Sequence, residues 1–188
     1  MNINEILHQQ IFSFIYYSVI AIYKVSGNRK AELAIINGNM ARLSCIQRNE
    51  SFLRGMQKHG LPIRNEWLVY AGITKGGGYR AAKQLLQNSV NDLPSVICAN
   101  NDWAAYGVYQ ALYEQGISIG DQISVIGIDG HPHNELALPG LTSVEFNFRE
   151  MFSLLVDRVL DLVETGKTAQ NEYYLEGKLI VRKSCKEL

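Results

Sequence analysis

Short, continuous apolar runs alternate with amphipathic stretches along most of this sequence from residue 31 onward. The apolar runs predict buried strands, and the apolar residues at helical spacing between them predict helices with one buried face. The predicted strands are 31–37, 66–71, 94–99 and 123–128, and the predicted helices are 46–60, 78–89 and 102–116. Because the strands are apolar on both faces, the sequence predicts an α/β fold, a parallel sheet with helices on both faces.

The pattern changes after residue 140. Residues 141–148 and 172–184 are predicted to be extended, and residues 149–166 form a long amphipathic helix between them. One face of that helix carries an apolar stripe composed of Met151, Leu154, Leu155, Val159, Leu162 and Val163.

An uncharged apolar stretch also precedes the alternating region, at residues 11–23. It is short for a membrane span, which needs about 20 residues, and residues 1–10 lack the lysine or arginine of a signal peptide. A helix buried on more than one face is the favoured interpretation, and an interfacial or spanning segment is the alternative.

The composition limits the classes of function and the cellular setting that fit this chain. The 188 residues include 18 lysines and arginines and 18 aspartates and glutamates, so the chain lacks the basic excess of a nucleic-acid-binding surface. The three cysteines, Cys45, Cys98 and Cys185, form no CxxC pair and no zinc spacing, which favours a reducing, cytoplasmic setting.

Polar residues follow three of the predicted strands. Arg48 comes after the first, Asn100 and Asn101 after the third, and Asp129 after the fourth. Ligands of parallel α/β sheets bind beyond the carboxyl ends of strands, so these side chains predict a site for a hydroxyl-rich ligand such as a sugar or nucleoside. The alternative is structural: Asp102 would cap its helix, and Asp129 would cap a turn.

Other motifs predict no catalysis. The glycine-rich stretch 71–80 lacks phosphate-loop spacing and is interpreted as a strand-to-helix turn. Residues 131–133, HPH, have no carboxylate or cysteine at ligand spacing, so we expect a solvated loop and no metal. No serine lies in a GxSxG elbow.

A family resemblance follows from longer segments. "PSVICANNDWAAYGVYQALYEQGISIGDQISVIGIDG", "LPGLTSVEFNF" and "KLIVRKS" occur in the order found in the lactose-repressor/galactose-repressor family of bacterial transcription regulators. The resemblance covers roughly residues 20–185, with Asn28 where a histidine is usual. It implies a fold similar to periplasmic binding proteins of type I, in which an effector binds between two α/β lobes.

The resemblance also implies site residues. Arg48, Asn101 and Asp129 match positions that contact the effector, and Ile73 falls where several relatives have an aromatic ring. Phe146 and Phe148 are expected on the strand where the chain recrosses at the cleft. No cofactor, catalytic residue or metal site is implied.

The same resemblance implies how the chain is divided. Residues 1–143 would form the second lobe, with 1–19 unassigned, 144–172 would be a strand and helix of the first lobe, and 173–188 would close the second lobe. A helix-turn-helix headpiece and most of the first lobe have no counterpart in this sequence. We therefore expect contact with DNA only through a headpiece absent here, self-association or dye binding through the apolar helix, and sugar binding that is weak or absent.

The implied function is the effector-binding part of a cytoplasmic, homodimeric repressor that makes no membrane contact. A periplasmic-type sugar-binding protein of a transporter or chemoreceptor is the alternative, although it predicts a signal peptide. An enzyme of flavodoxin-like fold would need a nucleophile or a phosphate loop at a strand end.

Overall fold

A computed structural model describes residues 32–89, 92–166 and 177–185. The strands are β1 (Leu33–Asn37), β2 (Leu68–Tyr70), β3 (Val96–Ala99), β4 (Ser124–Asp129), β5 (Thr142–Phe146) and β6 (Gly177–Ile180). The helices are α1 (Leu43–Lys58), α2 (Lys75–Asn88), α3 (Asp102–Glu114) and α4 (Phe148–Thr165), with short 3-10 turns at Asn65–Trp67 and Pro132–Glu135. The apolar stretch 11–23 and Asn28 lie outside the described residues.

The strands form one sheet in the order β2-β1-β3-β4-β5-β6. The first five strands are parallel, which confirms the predicted α/β class. The closing strand β6 runs antiparallel to β5, with Ser143 opposite Ile180, a direction that the sequence did not predict. An edge strand has a neighbour on one side only, and apolar content does not reveal its direction.

Side chains of the strands alternate between two layers of helices. Leu33, Ile35 and Cys98 pack with Phe52 and Met56 of α1 on one face. The opposite face packs against α2 and α3. This two-sided burial explains why β1 and β3 consist of buried residues throughout.

Helix α2 begins earlier than its periodicity predicts. It starts at Lys75, where the Thr74 hydroxyl accepts a hydrogen bond from the Gly77 N–H at 3.1 Å. The prediction of a strand-to-helix turn for the glycine-rich stretch is therefore wrong in its second half, since Gly76 and the two residues after it belong to the first turns of the helix. Local sequence could not show this, because Gly78 serves a contact with another helix.

That contact is the close packing of α2 on α3. A Cβ on Gly78 would overlap the carbonyl oxygen of Ala104, and a Cβ on Gly107 would overlap the carbonyl oxygen of Lys75. The two backbones approach too closely for any larger residue at either position. The first turn of α3 is thereby held beside α2 at the carboxyl edge of the sheet.

Helix α4 packs differently from the others. It begins at Phe148, so Phe148 is not on a strand as predicted, because the Asn147 side chain caps a helix there by accepting from the Glu150 N–H at 3.2 Å. None of its residues is buried, and the apolar stripe is partly or fully exposed within the described structure. The predicted lobe boundary at residue 143 falls inside β5, and the division into lobes stays a prediction. No helix in the described ranges is long and apolar enough to cross a membrane.

We expect Gly107→Ala to lower the free energy of unfolding by about 1–3 kcal/mol, because the added methyl group forces the two helices apart. Urea denaturation measures the change. The matched control is Gly76→Ala, whose Cβ would meet only the end of the Arg80 side chain, at 3.5 Å. That control should be neutral or stabilise by up to ~1 kcal/mol through helix propensity. Equal losses in the two variants would contradict the close-packing interpretation.

Candidate functional site

The site lies at a switch point in the sheet. The chain passes from β1 outward to β2 and then returns past β1 to β3, so the connections leave β1 and β3 in opposite directions. A crevice forms beyond the carboxyl ends of strands at such a point and is where ligands of open α/β sheets bind. The strands that end at this crevice finish at Asn37, Ala99 and Asp129.

Arg48 joins two of these strand ends. Its Nη1 donates to the carbonyl oxygen of Asn100, and its Nη2 lies 3.0 Å from Oδ1 of Asp129. Arg48 lies inside α1, in agreement with the predicted helix 46–60, although the helix begins three residues earlier, at Leu43. A helical position fixes the start of a long side chain better than a loop does. Only 13% of the side chain is exposed, which strengthens its charge interactions.

Asp129 supplies the negative charge of the site. About a third of its side chain, 35%, is exposed. Burial raises the pKa of its carboxyl group, and the charge of Arg48 acts in the opposite direction. Its backbone φ is +114°, in a region that residues other than glycine rarely adopt. A strained residue held between charged partners is a frequent feature of binding sites.

A buried amide pair lies behind Arg48. Asn100 Nδ2 donates to Oδ1 of Asn37 at 2.6 Å, and the same oxygen accepts from the Gly38 N–H at 2.8 Å. Asn37 and Asn100 are 1% and 2% exposed, so these bonds satisfy polar groups that water cannot reach. The pair ties the end of β1 to the end of β3. Asn37 was not predicted as a site residue, although an asparagine at the end of an apolar run was the available signal.

Asn101 connects the site to the loop after β2. Its Oδ1 accepts from the Ala104 N–H at 2.8 Å, and its Nδ2 donates to the carbonyl oxygen of Ile73 at 3.0 Å. Asn101 is thus the N-cap of α3, and one amide hydrogen and one lone pair stay available to a ligand. Ile73 lies against Gly38, where an added Cβ would come within 2.8 Å of its Cγ2. An aliphatic side chain therefore occupies the position at which several relatives are expected to have an aromatic ring.

Asp102 is not the helix cap that the sequence predicts. Its Oδ2 accepts from the His131 N–H at 2.6 Å and from Asn134 Nδ2 at 2.8 Å. Its Oδ1 accepts from the Ser143 hydroxyl at 2.6 Å. The prediction failed because the preceding asparagine caps the helix, which leaves the Asp102 carboxylate to bind residues far away in sequence. Burial raises the pKa of this carboxyl group, and the three donors oppose that shift.

The two predicted aromatic residues follow β5. Asp129 pairs with Glu145 in the sheet, so Phe146 lies one residue beyond the level of the Arg48–Asp129 pair. The ring centroids of Phe146 and Phe148 are 6.1 Å apart, and Phe148 stacks on Phe152 at 6.5 Å. Phe146 packs partly into the core, whereas Phe148 belongs to exposed α4. The structure thus brings Arg48, Asn101, Asp129 and Ile73 together, with Phe146 beside them and Phe148 farther along the chain.

The assembled groups can bind a ligand, but these residues form no recognisable catalytic arrangement. Arg48 offers donors, Asp129 offers acceptors and Asn101 offers both, which matches a ligand carrying several hydroxyl groups. Among the described residues, no three histidines, cysteines or carboxylates are grouped to hold a metal ion. The HPH residues form part of a 3-10 turn in which the His133 N–H donates to His131 Nδ1 at 3.2 Å.

Replacing Arg48 by methionine should raise the pKa of Asp129, because the guanidinium lowers that pKa in the intact site. Carboxyl ¹³C chemical shifts followed against pH measure it. The matched control is Arg54→Met on the same helix, which removes an exposed guanidinium paired with Glu50 at 3.3 Å and should leave Asp129 unchanged. An Asp129 pKa that is the same in Arg48→Met and in the parent chain would contradict the ion pair.

Comparison with known proteins places this geometry in a family. Residues 25–185 match the family of periplasmic binding protein-like domains. The HTH-type transcriptional repressor PurR of Glaesserella parasuis serovar 5 (strain SH0165) is 28% identical over 169 residues, covering 86% of this chain and 48% of the repressor. The chain thus spans about half the length of this curated relative.

Solved structures show the same fold. A crystal structure described as a sugar-binding transcriptional regulator of the LacI family from Escherichia coli, complexed with phosphate, superposes with a TM-score of 0.80 at 25% identity. The match covers 96% of this chain and 62% of that one. The lac repressor dimer bound to operator and the anti-inducer ONPF matches in fold, with a TM-score of 0.81 at 22% identity over 92% of this chain and 59% of that one. With the family match over most of its length, this chain belongs to the periplasmic binding protein-like domains, in the form found in lactose-repressor/galactose-repressor family regulators.

Proposed function

We propose that this chain is the effector-binding part of a bacterial transcription regulator and that it binds a sugar or a nucleoside at the carboxyl edge of its sheet. The observation that carries the proposal is the Arg48–Asp129 pair at the switch point, 3.0 Å apart, with Asn101 beside it. The relatives are transcriptional repressors rather than enzymes, which supports a binding role.

The chemistry of the pair supports a ligand that carries hydroxyl groups. A hydroxyl group can donate to the Asp129 carboxylate while it accepts from Arg48. The pair therefore recognises both the hydrogen and the lone pairs of that hydroxyl group. Nε of Arg48 is buried and has no hydrogen-bond partner within the described structure, which leaves a donor for a ligand or a water molecule. A ligand lacking the matching hydroxyl would leave these buried groups unpaired and bind much more weakly.

The regulatory part of the proposal concerns the whole protein. The resemblance suggests that a helix-turn-helix headpiece contacts DNA in the cytoplasm and that the ligand binds between two lobes. In that scheme residues 144–172 contribute to the first lobe, which agrees with the absence of buried residues in the described helix α4. Ligand binding would then shift the angle between lobes and so the spacing of two headpieces.

The ligand site is tested by nuclear magnetic resonance with D-ribose, D-glucose, cellobiose, adenosine and guanosine, each at millimolar concentration so that weak binding is detected. We expect at least one compound to shift the amide resonances of Arg48, Asn101 and Asp129. Asp129→Ala should weaken that compound tenfold or more, because a hydrogen bond to a charged group contributes about 1.5–3 kcal/mol.

Asp121→Ala is the matched control for this experiment. Asp121 is an exposed carboxylate in the loop that leads into β4, at the opposite end of the strand from Asp129. Its loss should leave affinity unchanged. Resonance shifts confined to residues away from the three named amides, or equal weakening by both variants, would refute the site.

We further propose that the chain forms a homodimer. Exposed apolar side chains support this: Trp103 at the start of α3, and Leu136 and Leu138 in the segment after β4. The ring centroids of Trp103 and His131 are 5.3 Å apart, so the helix and the loop adjoin. Leu138 is 90% exposed, and large exposed apolar residues that cluster mark association surfaces.

Sedimentation equilibrium should find dimers at micromolar concentration, and Leu138→Glu should weaken dimerisation at least tenfold by placing a charge in the apolar contact. Ile63→Glu is the control, since Ile63 is exposed in the loop between α1 and β2, near the other edge of the sheet. A parent chain that is still monomeric at 100 micromolar would have a dimer dissociation constant above ~10⁻⁴ M, which is typical of very weak contacts. That result would contradict the homodimer.

A further inference from the structure

Strand alternation does not explain where the Asp129 side chain points. Ile126 and Ile128 face the core beneath α1, so Asp129 would share the other face of β4 with Val125 and Gly127. The carboxylate nevertheless meets Arg48 of α1. The backbone φ of +114° departs from strand geometry at this residue and allows the side chain to turn toward the arginine.

Such a conformation persists only where neighbouring contacts impose it. The next two backbone N–H groups are both held by side chains. The Gly130 N–H donates to Oγ of Ser143 at 3.2 Å, and the His131 N–H donates to Oδ2 of Asp102 at 2.6 Å. Because Ser143 in turn donates to Asp102, a single carboxylate anchors both residues that follow Asp129.

The surroundings of Asp102 are built to hold this carboxylate. The residue is 1% exposed, and Asn134 Nδ2 provides its third donor at 2.8 Å. A Cβ on Gly127 would overlap Oδ1 of Asp102, so only glycine at that strand position leaves room for it. Asn134 is itself fixed by the Tyr106 hydroxyl, which donates to its Oδ1 at 2.7 Å.

The Asp102 side chain does not cap its own helix. Asn101 caps α3, and the bonds of the Asp102 side chain given above all reach to residues of the 131–134 turn and of β5. We propose that Asp102 is the positioning residue of the site: its carboxylate fixes Gly130 and His131, and thereby aims Asp129 at Arg48 and the ligand. The effect on ligand binding rests on the proposed function, whereas the effect on Asp129 does not.

Amide hydrogen exchange of the ligand-free chain tests the positioning itself. In Asp102→Ala, exchange at Gly130 and His131 should accelerate at least tenfold more than exchange across the β1–β3 core. Asp102→Asn should restore protection to within threefold, because its Oδ1 can accept from His131 and Asn134 while its amide donates to Ser143. The control is Ser89→Ala, which removes a different buried hydrogen bond, from Trp67 Nε1 at 3.1 Å, far from the turn.

A second variant displaces the Asp102 carboxylate by a change at a neighbouring residue. Gly127→Ala should displace the carboxylate and reproduce the loss of protection at Gly130 and His131. If Asp102→Ala does not fold, Ser143→Ala replaces it, since it removes one bond to the carboxylate and the acceptor of the Gly130 N–H. Protection of the two amides that falls no further than in Ser89→Ala would overturn the proposal, and so would an Asp102→Asn variant as unprotected as Asp102→Ala.

The ligand arm uses whichever of the five compounds binds. Asp102→Ala should weaken it about tenfold or more and Asp102→Asn less than threefold, because the buried side chain at position 102 acts on the ligand only through the placement of Asp129. Unchanged affinity in Asp102→Ala would overturn the positioning role in binding. If none of the compounds binds, the proposed function fails, while the exchange experiment still decides whether Asp102 holds Asp129.

Discussion

The buried carboxylate of Asp102 is the interaction on which the carboxyl edge of this sheet depends. It collects three donors from β5 and from the turn after β4, and so links the start of α3 to two neighbouring strands. An ionised group in the interior is tolerated only when its oxygens are hydrogen-bonded, and here each bond also fixes a piece of backbone. The strained conformation of Asp129 follows from that anchoring, as does the approach of its carboxylate to Arg48.

Among the described residues, the two carboxylates at this edge, Asp102 and Asp129, face only one arginine or lysine in the site, Arg48. Asp102 is close enough to Asp129 to disfavour ionisation of the Asp129 carboxyl group, and of these two carboxylates Arg48 pairs only with Asp129. Burial raises the pKa of Asp102 above its ordinary value of 3.8, so the folded chain binds that proton more tightly than the unfolded chain does. The contribution of Asp102 to stability therefore decreases as the pH rises from 3.8 through the raised pKa. A site that keeps such groups at a cost to stability is characteristic of a binding function.

The position of the edge depends in turn on the packing of α2 against α3. Gly78 and Gly107 let the two backbones approach closely, which sets the first turn of α3 against the loop that carries Ile73. Asn101 then reaches Ile73 with one end of its side chain while it caps α3 with the other. Close helix packing and the geometry of the candidate site are thus parts of the same arrangement, and a larger residue at either glycine would disturb both.

The sequence by itself determined the α/β class and the four apolar parallel strands, and it placed Arg48, Asn101 and Asp129 close to the ends of those strands. Apolar runs and helical periodicity are local, and they report burial directly. Only the tertiary structure decided that β6 runs antiparallel, that the glycine-rich stretch lies in a helix, that Phe148 begins α4, and that Asp102 binds β5 and the turn instead of its own helix. The direction of β6, the helical glycines and the Asp102 bonds depend on partners far away in the chain: Ser143 is 41 residues from Asp102, and Ala104 approaches Gly78 from another helix. Local patterns fix which residues are buried, whereas the contacts between elements fix what each buried polar group binds.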